Sequence, residues 1–110
     1  MRPIAALALL ALTSLAVATT AATTPVASIR VATSKPFVVK GMYFKRNETV
    51  RVALTFKGVH TRIVKASTQG GFTARFLRIN VRTCDGYIVR ATGNKGSHAF
   101  VRRTSDCIGG

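Results

Sequence analysis

Two cysteines, Cys84 and Cys107, carry the most sharply defined chemistry in this 110-residue chain. They form no C-x-x-C redox pair. His60 and His98 stand at no local ligand spacing, so neither a metal site nor a cofactor is expected. In an oxidising compartment an even pair makes one structural disulfide, here tying the tail of the chain to the start of the penultimate strand. Catalysis finds less support. The acids are Glu48, Asp85 and Asp106, each beside a turn, which gives no paired carboxylates, and no Ser sits in a G-x-S-x-G elbow. The chain therefore reads as non-enzymatic, with Asp85 and Asp106 capping turns and Glu48 paired with Arg51 or Lys45.

Against three acids stand 17 Lys and Arg, a formal net charge of +14. Polyanions are the default partners of such a field. Most of these cations are Arg, whose planar fork pairs with phosphate, sulfate or carboxylate better than Lys does. Six of them fall on outward positions of expected strands and form the candidate anion-binding set. If the first, central and Phe72 strands are neighbours, Arg30, Arg51 and Arg75 make a row across one outer face. On the other sheet Arg62, Arg90 and Arg102 make a second row, interleaved with Val64, Ile88 and Phe100. Exposed apolar groups among cations mark this second face as the better partner surface. Nucleic acid is expected only as a nonspecific partner, because there is no Trp and most Phe residues fall on inward positions.

The elements that must position these residues follow a leader. Met1-Arg2-Pro3 supplies a positive start, Ile4 to Leu12 an apolar run, and Ala16-Val17-Ala18 a cleavage site, the signature of a secretory signal peptide. The apolar segment runs about 15 residues, short of the roughly 20 that span a bilayer. A second cut after Ala22 is also offered by Thr20-Ala21-Ala22. Residues 1–22 are thus read as signal peptide and lead-in, residues 23–110 as one domain, and the product as secreted, extracellular or in the cell envelope.

Within the domain the apolar period is two throughout. Ala27 to Thr33 gives a first strand, resumed by Phe37 to Lys40 and open to being split across two sheets. Gly41 permits a bend and Phe44 plugs the edge. Val50, Val52, Leu54 and Phe56 then line the buried face of a central strand. Val59, Thr61 and Ile63 alternate with His60, Arg62 and Val64. Phe72, Ala74 and Phe76 face inward, and the phase slips at Phe76-Leu77, so Leu77, Ile79 and Val81 require a bulge or a crossover between sheets. Tyr87, Val89 and Ala91 line the next strand, where Tyr87 is placed for a tyrosine corner. Ala99 and Val101 face inward on the last, leaving His98, Phe100 and Arg102 outside. Asn47-Glu48-Thr49 matches a glycosylation acceptor in an exposed turn. The expectation is an all-β, immunoglobulin-like antiparallel sandwich of six to seven strands.

Gly41-x-x-Phe44-x-x-x-Glu48-x-Val50-x-Val52, Gly71-Phe72-Thr73-Ala74 and Cys84-x-Gly86-Tyr87-x-Val89-x-Ala91-x-Gly93 together resemble the secreted bacterial immunoglobulin-like domains of the IPT/TIG type. The resemblance implies a binding or spacer module. With the charge, it gives a secreted basic module that adheres to anionic envelope or matrix polymers or to an acidic protein. The alternative is a small cationic effector acting on membranes or nucleic acid, although no amphipathic basic helix is present to serve it.

Overall fold

Alternation between Ser28 and Arg103 is realised as seven antiparallel strands. The computed structural model describes residues 25–105. The leader, Asp106 and Cys107 lie outside the described residues. The strands are β1 (Ser28–Ser34), β2 (Phe37–Met42), β3 (Thr49–Thr55), β4 (Val59–Lys65), β5 (Phe72–Phe76), β6 (Tyr87–Gly93) and β7 (His98–Arg103). They form a three-stranded sheet of order β1-β2-β5 and a four-stranded sheet of order β4-β3-β6-β7. β4 meets β5 along one open side, and β1 meets β7 along the other. The expected immunoglobulin-like sandwich is therefore observed. Its fourth strand extends the sheet of the third, whereas in the constant-type arrangement the fourth strand pairs with the fifth.

The core follows from the period-two pattern. Val50, Val52 and Leu54 of β3, with Val89 and Ala91 of β6, oppose Phe37 and Val39 of β2 and Phe72, Ala74 and Phe76 of β5. Each large side chain fully buried here contributes about 1.5–3 kcal/mol. Edge-to-face contacts of Phe37 with Phe76 (6.0 Å) and Tyr87 (5.1 Å) organise one end of the core. Phe44 against Phe72 (4.9 Å) organises the other, so Phe44 is the expected plug. Ala99 and Val101 pack inward from β7, as their phase predicts.

Several local expectations change. Phe37 to Lys40 does not continue the first strand, because Ser34 pairs with Phe37 and β1 and β2 form a hairpin within one sheet. Gly41 makes no bend. It pairs with Phe72 inside β2, and its missing side chain leaves room for the Phe72 ring. Residues 77–86 form the expected crossover between sheets, tied to the β1–β2 turn by the Val81 amide donating to the Ser34 carbonyl (2.8 Å) and the Phe37 amide to the Ile79 carbonyl (2.8 Å). Val81 is buried there, whereas Leu77, expected inward with it, is 64% exposed. Tyr87 makes no tyrosine corner among the described residues. Its ring instead packs on Phe37 and beneath the Arg103 guanidinium, 4.7 Å away.

The two ends of the sandwich differ. At one end loops 43–48, 66–71 and 94–97 converge on Glu48, the buried charged side chain of the described core. Glu48 pairs with no lysine or arginine side chain among the described residues. Its carboxylate accepts from the amides of Lys45 (3.0 Å), Lys95 (2.7 Å) and Ser97 (3.2 Å). Burial pushes its pKa up, but the Ser97 hydroxyl and the Ser97, Lys45 and Lys95 amides outweigh burial and hold it below the usual value. The two lysines cross-tie the same loops, Lys45 Nζ donating to the Lys95 carbonyl and Lys95 Nζ to the Arg46 carbonyl (2.8 Å). The opposite end carries the β3–β4 turn and the 77–86 crossover. There Asp85 caps its turn by accepting from the Arg82 amide (2.9 Å).

Candidate functional site

Residues opposite each other in an antiparallel ladder project from the same face of the sheet, so register alone assigns the outer surface. On the four-stranded sheet it gives three rows running from β4 through β3 and β6 to β7. The first is Ile63, Arg51, Thr92 and His98; the second Thr61, Ala53, Arg90 and Phe100; the third Val59, Thr55, Ile88 and Arg102. One arginine stands in each row, stepping from β3 to β6 to β7. At ordinary strand spacing and rise these steps place successive arginines roughly 8 Å apart along a diagonal.

This lattice differs from the rows expected from sequence. Arg51 belongs to the four-stranded sheet, away from Arg30 of β1 and Arg75 of β5. Arg62 pairs with the core residue Val52 and Val64 with Val50, so β4 turns both away from the face of Arg90 and Arg102. Arg51 takes the place assigned to Arg62, and Val59 and Ile63 that assigned to Val64. On the three-stranded sheet Arg30 lies opposite Lys40, and Arg75 opposite Val38. Of the histidines, His98 is exposed on the outer face, while His60 is half-buried with Nε2 3.1 Å from the Phe56 carbonyl oxygen.

The four-stranded face combines charge with apolar surface. Val59 is 69%, Ile63 65% and Phe100 53% exposed, among threonines 49, 55, 61 and 92. Arg90 lies over the ring of its cross-strand partner Phe100, 5.1 Å from guanidinium carbon to centroid. That contact fixes a long side chain that would otherwise lose entropy on binding. A depression of about 300 Å³ surrounds Arg51 between Ile63 and Thr92. No acid lies on this face among the described residues, since Glu48 is buried and Asp85 caps the crossover. Its cations are therefore not neutralised from within. No cluster of His, Cys, Asp and Glu suited to a metal ion occurs among the described residues.

No family model matches the chain, and no curated protein matches it significantly. Among solved structures it is similar to a crystal structure of a carbohydrate acetylesterase from Xanthomonas citri, at 24% identity and a TM-score of 0.47. That alignment covers 66% of this chain and 15% of the esterase. Among the described residues no helix is long and apolar enough to cross a membrane.

Proposed function

We propose that this protein is a secreted, non-catalytic binding module that holds extended acidic polymers of an envelope or matrix on the outer face of its four-stranded sheet. The observation that carries this reading is the acid-free lattice of Arg51, Arg90 and Arg102 set among exposed Ile63, Val59 and Phe100. Cations alone would give only a solvated face. Exposed apolar groups between them suit a partner with both anionic groups and a desolvatable backbone, such as an acidic polysaccharide. A second copy of the chain fits poorly, because a two-fold contact through this face would bring arginines against arginines. Stacked bases fit poorly too, since Phe100 offers one ring where a nucleic-acid platform uses several. The resemblance to IPT/TIG domains agrees with a module role.

Heparin, a sulfated polysaccharide, serves as the probe. Affinity should fall steeply with salt as counterions are released. Converting Arg51, Arg90 and Arg102 together to Gln should weaken binding by on the order of a hundredfold. Converting Arg30, Lys40 and Arg75 on the opposite face removes the same charge and should cost far less. Equal losses would show that net charge alone drives binding, and salt-independent or absent binding would remove the proposal.

A further inference from the structure

We infer that the groove between β4 and the crossover is a separate binding site for a single oxyanion ester, a phosphate or sulfate carried on a body the size of a sugar. The groove has a volume of about 510 Å³, within the range of small-molecule sites. Arg62 and His60 enter it from β4, with the Thr61 backbone between them, and Leu77, Arg78 and Ile79 from the crossover. It continues into a depression of about 350 Å³ that shares His60, Arg78 and Ile79 and adds Lys57 and Asn80.

Two of these residues depart from the apolar-inward pattern. Arg62 occupies the register position opposite buried Val52, where alternation calls for an apolar residue. Leu77, a large apolar residue, is 64% exposed directly after β5. A sequence that is otherwise consistent tends to depart from its pattern at functional sites. Here both departures line one cavity. They give it a cationic side, with Arg62 and Arg78 on separate elements, and an apolar side at Leu77 and Ile79.

None of the residues lining the groove is acidic; Asp85 lies in a further adjoining depression that shares Lys57, Leu77 and Asn80, where it accepts from the Arg82 amide. Arg62 and Arg78 in the groove repel each other until an anion enters, with Lys57 beside Arg78 in the depression that continues it, and forked Arg donors match the several oxygens of an ester oxyanion. Leu77 and Ile79 would cover the uncharged body, so a sugar ester should bind better than the bare ion. This site does not depend on the outer face, because Arg62 and Arg78 lie outside the lattice of Arg51, Arg90 and Arg102.

Titration of the full chain with glucose 6-phosphate, glucose 6-sulfate and inorganic phosphate, followed by NMR and calorimetry, tests it. At least one ester should bind more tightly than inorganic phosphate, with shifts centred on His60, Thr61 and Ile79; which ester is preferred identifies the group recognised. Arg62→Gln and Arg78→Gln should each weaken the ester by on the order of tenfold. The variant lacking Arg51, Arg90 and Arg102 should keep ester binding while losing heparin, so the two readings fail separately. Esters that bind no better than inorganic phosphate, or equally well to both groove variants in folded protein, overturn the inference.

Discussion

The Glu48 carboxylate lies directly against Gly93, in the space that a β-carbon on that residue would occupy. Gly93 closes β6, and its amide donates to the Ser97 carbonyl (2.7 Å), so the glycine both starts the β6–β7 hairpin and makes room for the acid that holds it. Gly93→Ala must displace the carboxylate from the Lys95 and Ser97 amides. Overpacking of this kind costs about 1–3 kcal/mol, and unpaired amides add to it. Thermal unfolding should show a melting temperature lower by on the order of ten degrees. Because both residues act through one carboxylate, Gly93→Ala combined with Glu48→Gln should cost much less than the sum of the two.

Glu48 also makes stability depend on pH in a defined direction. Its folded pKa is held below the value in the unfolded chain, so at intermediate pH the unfolded state binds the proton more readily. The stabilisation is fully present above the unfolded carboxylate value of about 4.3 and is lost as pH falls through the lower folded value. Glu48→Gln, which turns amide donors toward amide donors, should destabilise the protein by about 2 kcal/mol near neutrality. Denaturant unfolding from pH 7 to 2 should show this gap narrowing in acid. A gap of constant size would mean that the carboxylate's charge plays no part.

The fold was legible where one face of a strand is buried and the other is not. β3, β5 and β6 have that form, and their inward residues are those the alternation selects. β4 is an edge strand, and its two faces, Val59-Thr61-Ile63 and His60-Arg62-Val64, are equally mixed. Hydrophobicity could not choose between them, and only pairing with β3 sets the phase. That single ambiguity moved Arg62 off the binding face and concealed the groove it lines. Alternation at 77–81 fails only at Leu77: Ile79 and Val81 go inward as expected, in a crossover whose backbone bonds to the β1–β2 hairpin. Sequence alone suggests an ion pair for Glu48 because its amide partners at 95 and 97 are remote along the chain.

The pairing of Arg90 with Phe100 separates binding from stability. At an exposed site a cation–π contact is worth about 0.5–1 kcal/mol, so Phe100→Ala should lower the melting temperature by only a few degrees. On the proposed reading it should weaken heparin several-fold by freeing Arg90 and removing apolar surface. Phe100→Leu keeps most of that surface and loses the ring. An intermediate affinity is expected from isothermal titration, and wild-type affinity for both variants would exclude Phe100 from the interface.

Cys84 is disulfide-bonded, and the sequence holds one other cysteine, Cys107, outside the described residues. Arg103 at the end of β7 already ties the tail to the same crossover, Nε donating to the Asp85 carbonyl (3.0 Å) and a terminal amine to the Arg82 carbonyl (2.7 Å). These bonds bring the end of β7 to the crossover that carries Cys84, so a Cys84–Cys107 bond would reinforce a tie that Arg103 already makes. In the chain-entropy model it contributes about 3 kcal/mol, a large share of the stability of so small a domain. Intact mass should be two hydrogens below that of the reduced chain, and peptide mapping should link residues 84 and 107. Reduction should lower the melting temperature by on the order of ten degrees. Arg103→Gln should make the reduced protein lose more than the oxidised one, because only then does the tail depend on the guanidinium alone. Alkylation of two free thiols in folded protein, or equal losses in both redox states, would count against a shared staple.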